Sequence, residues 1–303
     1  MGTFYDYRRD GISQSILAGF LKCRRYADLH LKGYESKRQD SFALAFGTFA
    51  HEVLDRLYSR GKLPKPRIVK LYVNRVRNKL KINNPEMVGT LKVLLPEYFK
   101  HWSKDFDKRK WVELEGEFAN DFLGVKKLLR GKRDAVFTIN KKLWLLERKT
   151  KSRVEEGQIT ATLNIDLQVL FYLYNLGLET KKTPQGVIYD VIRRPGLRKR
   201  VGESPNAFFK RIRADIRKRP DWYFKRFECP ISQDELQTFY VELKYLIKEF
   251  MAWQDGKRKT YKNPTSCINV YGMCKFIPIC SNGDFSSFQK RKAVHNELSG
   301  VKA

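Results

Sequence analysis

The feature that most constrains the fold of this chain is an alternating segment, residues 131–153, with charged residues at one end. Apolar side chains alternate on both sides of Asn140 and Lys141, a pair of residues that suits a tight turn. The segment therefore predicts a β-hairpin. Symmetric pairing about that turn puts Asp134 directly opposite Glu147, with both carboxylates on one face.

A third charged residue is predicted to lie beside this pair. Lys149 follows Glu147 by two residues, so the pleat of the strand directs it to the same face. Burying unpaired charges among apolar neighbours is costly, and two arrangements would reduce that cost. Lys149 can bridge Asp134 and Glu147 in a structural ion pair, or the carboxylates can bind Mg²⁺ or Mn²⁺, which prefer oxygen ligands. The spacing favours the two arrangements equally.

Helix and strand patterns elsewhere indicate an α/β fold, a mixed sheet with helices on both sides. The predicted helices cover residues 12–34 (with Cys23 inside the helix), 41–59, two pieces of 67–108 separated near Pro85, 164–178 and 231–254 (over the basic segment that precedes it). The predicted strands cover residues 111–122, the two arms of the hairpin, and 186–192.

Three segments follow from these patterns, and we expect them to form one continuous structural unit. Residues 1–110 make a helical N-terminal region, 111–200 the core, and 201–303 a basic helical segment with a cysteine-bound C-terminal closure.

The charge of the chain predicts a polyanionic partner. Its formal net charge is +28, from 61 Lys and Arg against 33 Asp and Glu. Nucleic acid and an anionic membrane surface both fit that charge, but no stretch approaches the ~20 apolar residues of a membrane-spanning helix. The N-terminus lacks the apolar core of a signal peptide. We therefore expect an intracellular, cytoplasmic nucleic-acid protein without a membrane partner, in the host cytoplasm if its source is viral.

Four of the five cysteines form a candidate site. Cys267, Cys274 and Cys280 lie close together near the C-terminus, whereas Cys23 lies far upstream. Four thiolates suit a [4Fe-4S] cluster or a structural zinc ion, and spacing alone does not separate the two. Reduced core thiols are the third alternative. Either metal group would attach the first helix to the last segment.

The hairpin residues resemble a known nuclease motif. Gly131 and Asp134, twelve intervening residues, and then Glu147-Arg148-Lys149 are similar to the core of the PD-(D/E)XK nuclease superfamily. The RecB-like branch fits best, because three further features resemble it, in the family's order along the chain. These are an upstream histidine motif (47–51), a downstream helix motif (Gln168 and Tyr172) and the cysteines of its iron-sulfur variant.

The resemblance implies roles for individual residues. It implies a restriction-endonuclease-like mixed sheet in which the metal ligands are His51, Asp134, Glu147 and the backbone carbonyl of Arg148. It implies that Asp134, Glu147 and Lys149 are catalytic, that Gln168 and Tyr172 position the substrate and the lysine, and that Cys23, Cys267, Cys274 and Cys280 hold an iron-sulfur cluster. Because imidazole is a softer ligand than Mg²⁺ prefers, Mn²⁺ is the better-matched activator.

Some of these residues have other interpretations. Tyr172 suits an ordinary core position equally well, since its neighbours are apolar. Glu115 and Glu117 precede the hairpin and stay unassigned. The six-residue gap between Cys267 and Cys274 is longer than in the familiar iron-sulfur pattern.

The resemblance implies a metal-dependent DNA exonuclease acting on single strands or free ends, in recombination, repair or replication. An endonuclease of the same fold and a catalytically silent DNA-binding protein are the alternatives. The chain carries no Gly-x4-Gly-Lys-Ser/Thr loop, so unwinding would require a helicase or recombination protein as a partner.

A basic run after the last core strand is the predicted DNA contact. Residues 193–226 hold thirteen Lys and Arg against three acids. We expect the basic residues that follow that strand to line the entrance to the metal site: Arg193, Arg194, Arg198, Lys199 and Arg200. We expect interleaved rings to stack on unpaired bases: Phe208, Phe209, Trp222, Tyr223, Phe224 and Phe227. A solvated basic surface is the alternative.

Overall fold

The computed structural model describes residues 4–37, 41–269, 272–291 and 293–294. The helices are Tyr7–Asp10 (α1), Gln14–Lys22 (α2), Arg24–Leu31 (α3), Phe42–Tyr58 (α4), Pro66–Lys79 (α5), Pro85–His101 (α6), Asp105–Lys108 (α7), Glu156–Thr162 (α8), Leu167–Thr180 (α9), Pro205–Lys218 (α10), Pro220–Tyr223 (α11), Gln233–Gln254 (α12) and Ile277–Asn282 (α13), with short 3-10 turns at Leu163–Ile165 and Pro264–Ser266. The strands are Tyr34–Ser36 (β1), Lys110–Phe122 (β2), Val125–Ile139 (β3), Lys142–Lys151 (β4), Gly186–Arg193 (β5), Phe224–Pro230 (β6), Ile268–Asn269 (β7), Gly272–Met273 (β8) and Phe288–Lys290 (β9).

The centre of the fold is a five-stranded sheet in the order β2-β3-β4-β5-β6. Strands β4 and β5 are parallel, and every other neighbouring pair is antiparallel. The crossover between the parallel strands contains α8 and α9, as parallel neighbours require a long connection. The predicted fold class, a mixed sheet flanked by helices, is confirmed.

The predicted hairpin has the predicted turn. Ile139 pairs with Lys142, and Asn140 and Lys141 both have positive φ angles, 49° and 65°. Two consecutive left-handed residues form the turn type whose twist matches that of the flanking strands. The ladder ends with the pair Ala135 and Leu146, one position before Asp134 and Glu147.

The two faces of the hairpin belong to different cores. Val136 and Leu145 pack on one face under α2, α9 and α12. Residues one position along, such as Ala135 and Leu146, pack on the other face. That side is also where α4, α5, α6 and α10 assemble around a second core that reaches the sheet at Ile192. Both helical layers draw residues from the N-terminal, central and C-terminal parts of the chain.

The prediction of one helix over residues 12–34 is wrong in one respect. The segment forms two helices, α2 and α3, and Cys23 lies between them in an extended conformation, with a φ angle of −167°. The chain therefore turns at Cys23, which presents its sulfur toward the C-terminal segment, where the backbone N–H of Asn263 donates to it at 3.3 Å.

The predicted DNA-stacking role of the basic run is contradicted for several residues. Phe208, Tyr223 and Phe224 are buried in the core beneath α10, because α10 turns an apolar stripe inward and its charges outward. Arg193 is also buried; it lies over the ring of Trp222 and donates to that residue's carbonyl. Of the predicted entrance residues, Arg194 lies over Phe42, near the start of α4.

The helix predicted for residues 231–254 is present as α12, but it does not cover the basic run. It packs against α9 and α2 on the opposite side of the sheet from α10. Over the described residues, none of these helices combines the length and apolar character needed to span a membrane.

Candidate active site

Helix α4 places His51 beside β3, an interior strand of the sheet. Ser41 caps the helix by accepting a hydrogen bond from the backbone N–H of Leu44. Gly47 lets the helix approach β4 closely, since a Cβ atom there would lie 3.0 Å from the hydroxyl oxygen of Thr150. His51 lies one turn further along, and its Nδ1 is 3.5 Å from Oδ1 of Asp134.

Asp134 is held where β3 and β4 separate. Its Oδ2 accepts a hydrogen bond from the backbone N–H of Arg148 at 2.7 Å, so a side chain takes the place of a strand carbonyl. Burial opposes ionisation of Asp134, but His51 and the Arg148 N–H outweigh it and hold the pKa of Asp134 well below its usual value. Asp134 is therefore a carboxylate at neutral pH, with one oxygen turned toward His51.

Glu147 and Lys149 form a close ion pair beside Asp134. Lys149 Nζ lies 2.6 Å from Glu147 Oε1, whereas the buried Glu147 Oε2 has no hydrogen-bond partner. Burial, together with the charge of Asp134, raises the pKa of Glu147 to about 7, and the Glu147 carboxylate raises the pKa of Lys149 against the effect of burial. Glu147 thus lacks part of the positive charge that its ionised form needs.

Helix α9 supplies the two residues of the downstream motif. Lys149 Nζ donates to Gln168 Oε1 at 2.9 Å, and Gln168 Nε2 donates to the hydroxyl of Tyr172 at 3.3 Å. Tyr172 is also a core residue, because its ring packs edge-on against Phe118 of β2, so both interpretations of this residue describe part of its surroundings.

Glu115, which the sequence left unassigned, lies in the same place. It falls between the pairs Leu114–Ala135 and Gly116–Arg133, across from Asp134, and has a left-handed φ angle of 53°. Ligand atoms of Glu115, His51 and Asp134 lie within 4.8 Å of one another. The strand distortion could not be read from the sequence, but the alternation of three glutamates at 113, 115 and 117 was a usable signal.

A buried ion pair ties α4 to β4. The Arg148 side chain is fully buried, and its Nη1 donates to Asp55 Oδ1 at 2.6 Å. Asp55 lies one helical turn after His51, so the pair fixes the histidine-bearing helix on the strand that carries Glu147. His51 and Asp55 are four residues apart in a predicted helix, which puts them on the same helical face. This spacing could have indicated Asp55 as a neighbour of the site, and the sequence analysis did not use it.

All seven predicted residues of the site line one cleft, whose volume is about 770 Å³. They are His51, Asp134, Glu147, Arg148, Lys149, Gln168 and Tyr172, joined there by Asp55 and Glu115. We call this cleft the active-site cleft; Glu117 is not among the described residues that line it. The carboxylate and imidazole groups of the cleft, together with the unpartnered oxygen of Glu147, fit a divalent cation.

The four cysteines lie on the opposite end of α2 from the cleft residue Ser13. Asn263 and Ser266 attach the C-terminal segment to the end of α2, both donating to the Lys22 carbonyl. Cys274 and Cys280 pack beside a small apolar cluster between α3, α13 and β9. Burial raises the pKa of the Cys280 thiol, Arg25 and Lys262 oppose that rise, and the nearby Cys274 and Cys23 add to it.

Comparison with known proteins identifies the class to which this fold and site belong. The family model of the PD-(D/E)XK nuclease superfamily matches residues 11–281, and the chain is a member of that superfamily. A crystal structure of a candidate exonuclease from Eubacterium rectale is similar in fold, with a TM-score of 0.52 and 11% sequence identity over 98% of this chain and 97% of that chain. No curated protein matches the sequence.

Proposed function

We propose that this chain is a metal-dependent deoxyribonuclease of the RecB-like branch, an exonuclease that degrades single-stranded DNA or DNA ends. The observation that carries the proposal is the meeting of His51, Asp134, Glu147 and Lys149 in one cleft, on three different elements of the fold. A silent DNA-binding protein has no need to gather His51, Glu115 and Asp134 with their ligand atoms within 4.8 Å of one another, a grouping that suits a divalent cation.

The metal ligands in this proposal are His51, Asp134, Glu147 and the Arg148 carbonyl, with Glu115 as an added candidate. Mg²⁺ suits the carboxylates and Mn²⁺ suits the histidine as well. When bound, the cation supplies positive charge for the phosphate oxygens and acidity for a water molecule. Its charge would also stabilise Glu147 in the ionised form.

Lys149 has a defined part in this mechanism. The Glu147 carboxylate raises its pKa, so Lys149 stays protonated and acts as a hydrogen-bond donor and positive charge rather than as a base. Gln168 holds the lysine from the other side and limits its rotation. Lys149 is thereby aimed at the space where a phosphate would meet the carboxylates.

Degradation of end-labelled linear and circular single-stranded DNA with Mg²⁺ or Mn²⁺ tests the function. The proteins to compare are the unchanged chain, Glu147→Gln, Lys149→Met, and Lys142→Gln as a control on the exposed start of the same strand. We expect loss of linear DNA only, abolished in the first two variants and retained in the third.

The other outcomes each overturn part of the proposal. Cutting of circles would replace the exonuclease by an endonuclease of the same fold. DNA binding without cleavage by the unchanged chain would indicate the silent DNA-binding protein. Cleavage that survives both Glu147→Gln and Lys149→Met would remove this cleft from the mechanism.

We further propose that Cys23, Cys267, Cys274 and Cys280 hold a [4Fe-4S] cluster. Tetrahedral zinc with bonds near 2.3 Å would keep its sulfurs about 3.8 Å apart. Among the described residues, which include all four cysteines, no three sulfurs form a group within 4.8 Å. This spacing is wider than a zinc ion requires, and the resemblance to the iron-sulfur variant of the branch favours the cluster. The basic side chains of Arg25 and Lys262 near Cys280 would offset the negative charge of either metal centre.

Anaerobic purification followed by iron, sulfide and zinc analysis tests this assignment without an activity assay. We expect iron and sulfide in the unchanged protein but not in Cys274→Ser. The control is Cys229→Ser, which changes the fifth cysteine, on β6, and should keep both iron and sulfide. Stoichiometric zinc would favour the structural zinc site, and neither metal would indicate reduced thiols.

A further inference from the structure

A second concave surface lies on the helical layer behind α4. It is a groove of about 520 Å³ between α5, α6 and α10, and none of its lining residues belongs to the active-site cleft. Five cations line it: Lys65, Lys70, Lys100, Arg213 and Arg217. We call these residues the basic groove.

The basic groove has little negative charge of its own. Its lining contains one carboxylate, Glu97, which Arg217 already holds at 2.8 Å. Within the described part of the chain, Lys65, Lys70 and Lys100 form no ion pair with an Asp or Glu. The Nε of Arg213 is buried without a hydrogen-bond partner. Four of the five positive charges of the groove therefore have no acidic partner among the residues that the structure describes.

The neighbouring cavity continues the same positive surface. It is lined by Arg77 and Lys92, which lie on the same two helices, α5 and α6. Burial lowers the pKa of Lys92, and the charges of Arg77 and Lys70 lower it further. These cations are close enough to repel one another, and a polyanion laid across them would relieve that repulsion.

From these observations we infer that the basic groove binds the phosphate backbone of DNA beyond the segment held in the active-site cleft. This inference rests on the proposed function, because the occupant is the same DNA molecule. Arg213 and Arg217 belong to the run 193–226 in which the sequence predicts DNA contact. Lys65, Lys70 and Lys100 lie outside that run and add a part of the surface that the sequence analysis did not assign.

Helix α5 supplies a route between the two sites. Lys79, in its last turn, pairs at 2.7 Å with Glu52, which lines the active-site cleft, whereas Lys65 precedes the first turn and lines the groove. Fourteen residues of helix span about 21 Å. At ~3.4 Å per nucleotide along one strand, DNA would need about six nucleotides to cross that distance. Shorter DNA would occupy the cleft alone.

The salt dependence of DNA binding tests this inference directly. Lys65→Gln, Lys70→Gln and Lys100→Gln are combined in one variant, and the matched control combines Lys126→Gln, Lys142→Gln and Lys259→Gln, three exposed lysines that line neither site. Fluorescence anisotropy with a labelled 30-nucleotide strand and a 30-base-pair duplex in EDTA measures binding without cleavage, and circular dichroism checks the fold.

Losing three phosphate contacts should reduce the slope of log affinity against log salt by about 2 for a single strand and about 3 for a duplex. At 0.1 M salt we expect affinity at least about tenfold weaker than for the control variant. With the metal added, cleavage of a five-nucleotide substrate should be unchanged, because that substrate does not reach the groove.

The failures of the two proposals are distinguishable. Equal affinities and slopes for the two triple variants would overturn the groove inference and point to a protein partner with an acidic surface, whatever the cleavage result. Absence of cleavage by the unchanged protein, with the expected loss of slope in the groove variant, would overturn the nuclease proposal and leave the groove in place.

Discussion

This protein contains two clusters of charged residues, one in the core and one in the active-site cleft, and the two differ in the balance of their charges. One is a core network in which Arg226 donates to both oxygens of Asp105 at 2.7 Å and to Asp190 at 3.1 Å. Tyr58 also donates to Asp105 at 3.0 Å. The other is the active-site cleft, whose described lining holds five acidic residues (Glu52, Asp55, Glu115, Asp134 and Glu147) against three cations (Lys132, Arg148 and Lys149).

The difference separates charge that holds the fold from charge to which the proposed function gives a chemical role. In the core network Asp105 and Asp190 face Arg226 and Arg109, so acids and cations are equal in number and the group is closed to solvent. The cleft keeps a surplus of carboxylates and is open to solvent. Surplus negative charge is unfavourable in the protein alone, and a cation from solution would balance it.

The sharpest test of this contrast is Glu147→Gln. The amide keeps the shape of the carboxyl but removes a proposed ligand and the partner of Lys149, so cleavage should fall on the order of a thousandfold or more. Thermal unfolding in EDTA should show no loss of stability, because an unfavourably buried charge has been removed. Glu117→Gln, a glutamate of β2 outside the cleft lining, serves as the control. Full activity in Glu147→Gln would break the contrast.

The converse change is Arg226→Met in the core network. It leaves Asp105 and Asp190 buried without their shared cation, which should cost roughly 3–5 kcal/mol of unfolding free energy. Urea denaturation measures that loss. Cleavage per folded molecule should stay close to that of the unchanged protein, since Arg226 does not line the cleft. A variant as stable as the unchanged protein would show that the core network does not hold the fold.

Metal binding should stabilise the protein through the cleft alone. At a metal concentration a hundredfold above Kd, the gain is about 2.7 kcal/mol, or a rise in Tm of roughly 5 °C. We expect Mn²⁺ to produce this rise in the unchanged protein and in Glu117→Gln, and not in Asp134→Asn. An equal rise in Asp134→Asn would locate the stabilising ion elsewhere.

Local pattern was enough to predict part of this arrangement. The turn at Asn140 and Lys141 and the alternation around it determine which face each hairpin residue takes, so Asp134 and Glu147 were predicted to lie together from spacing alone. Predicting the position of Glu115 would have required knowing that it has a left-handed conformation within β2. That conformation depends on how β2 pairs with β3.

The errors have a common physical cause, which is that tertiary contacts decide between local alternatives. In α10 the spacing of Phe208, Ile212 and Ile216 indicates a buried apolar stripe. The many charges around Phe208 favoured a DNA-stacking role for it instead, and that prediction was wrong. At Cys23 the apolar spacing continues through a residue where the chain in fact turns, because the C-terminal segment bonds there.

The smallest expected effect concerns Tyr172, which belongs to both the core and the cleft. Its hydroxyl accepts one long hydrogen bond from Gln168, and its ring packs against Phe118 of β2. Tyr172→Phe therefore keeps the packing and removes only the bond that orients Gln168. A neutral hydrogen bond contributes about 1 kcal/mol, so kcat should fall about fivefold at most. Single-turnover cleavage with saturating metal measures that step, and Gln168→Ala should show a larger loss because it removes the contact to Lys149 itself. If Tyr172→Phe lowers the rate as much as Gln168→Ala, the hydroxyl acts on the substrate directly, and the tyrosine belongs with the charged residues of the cleft rather than with the core.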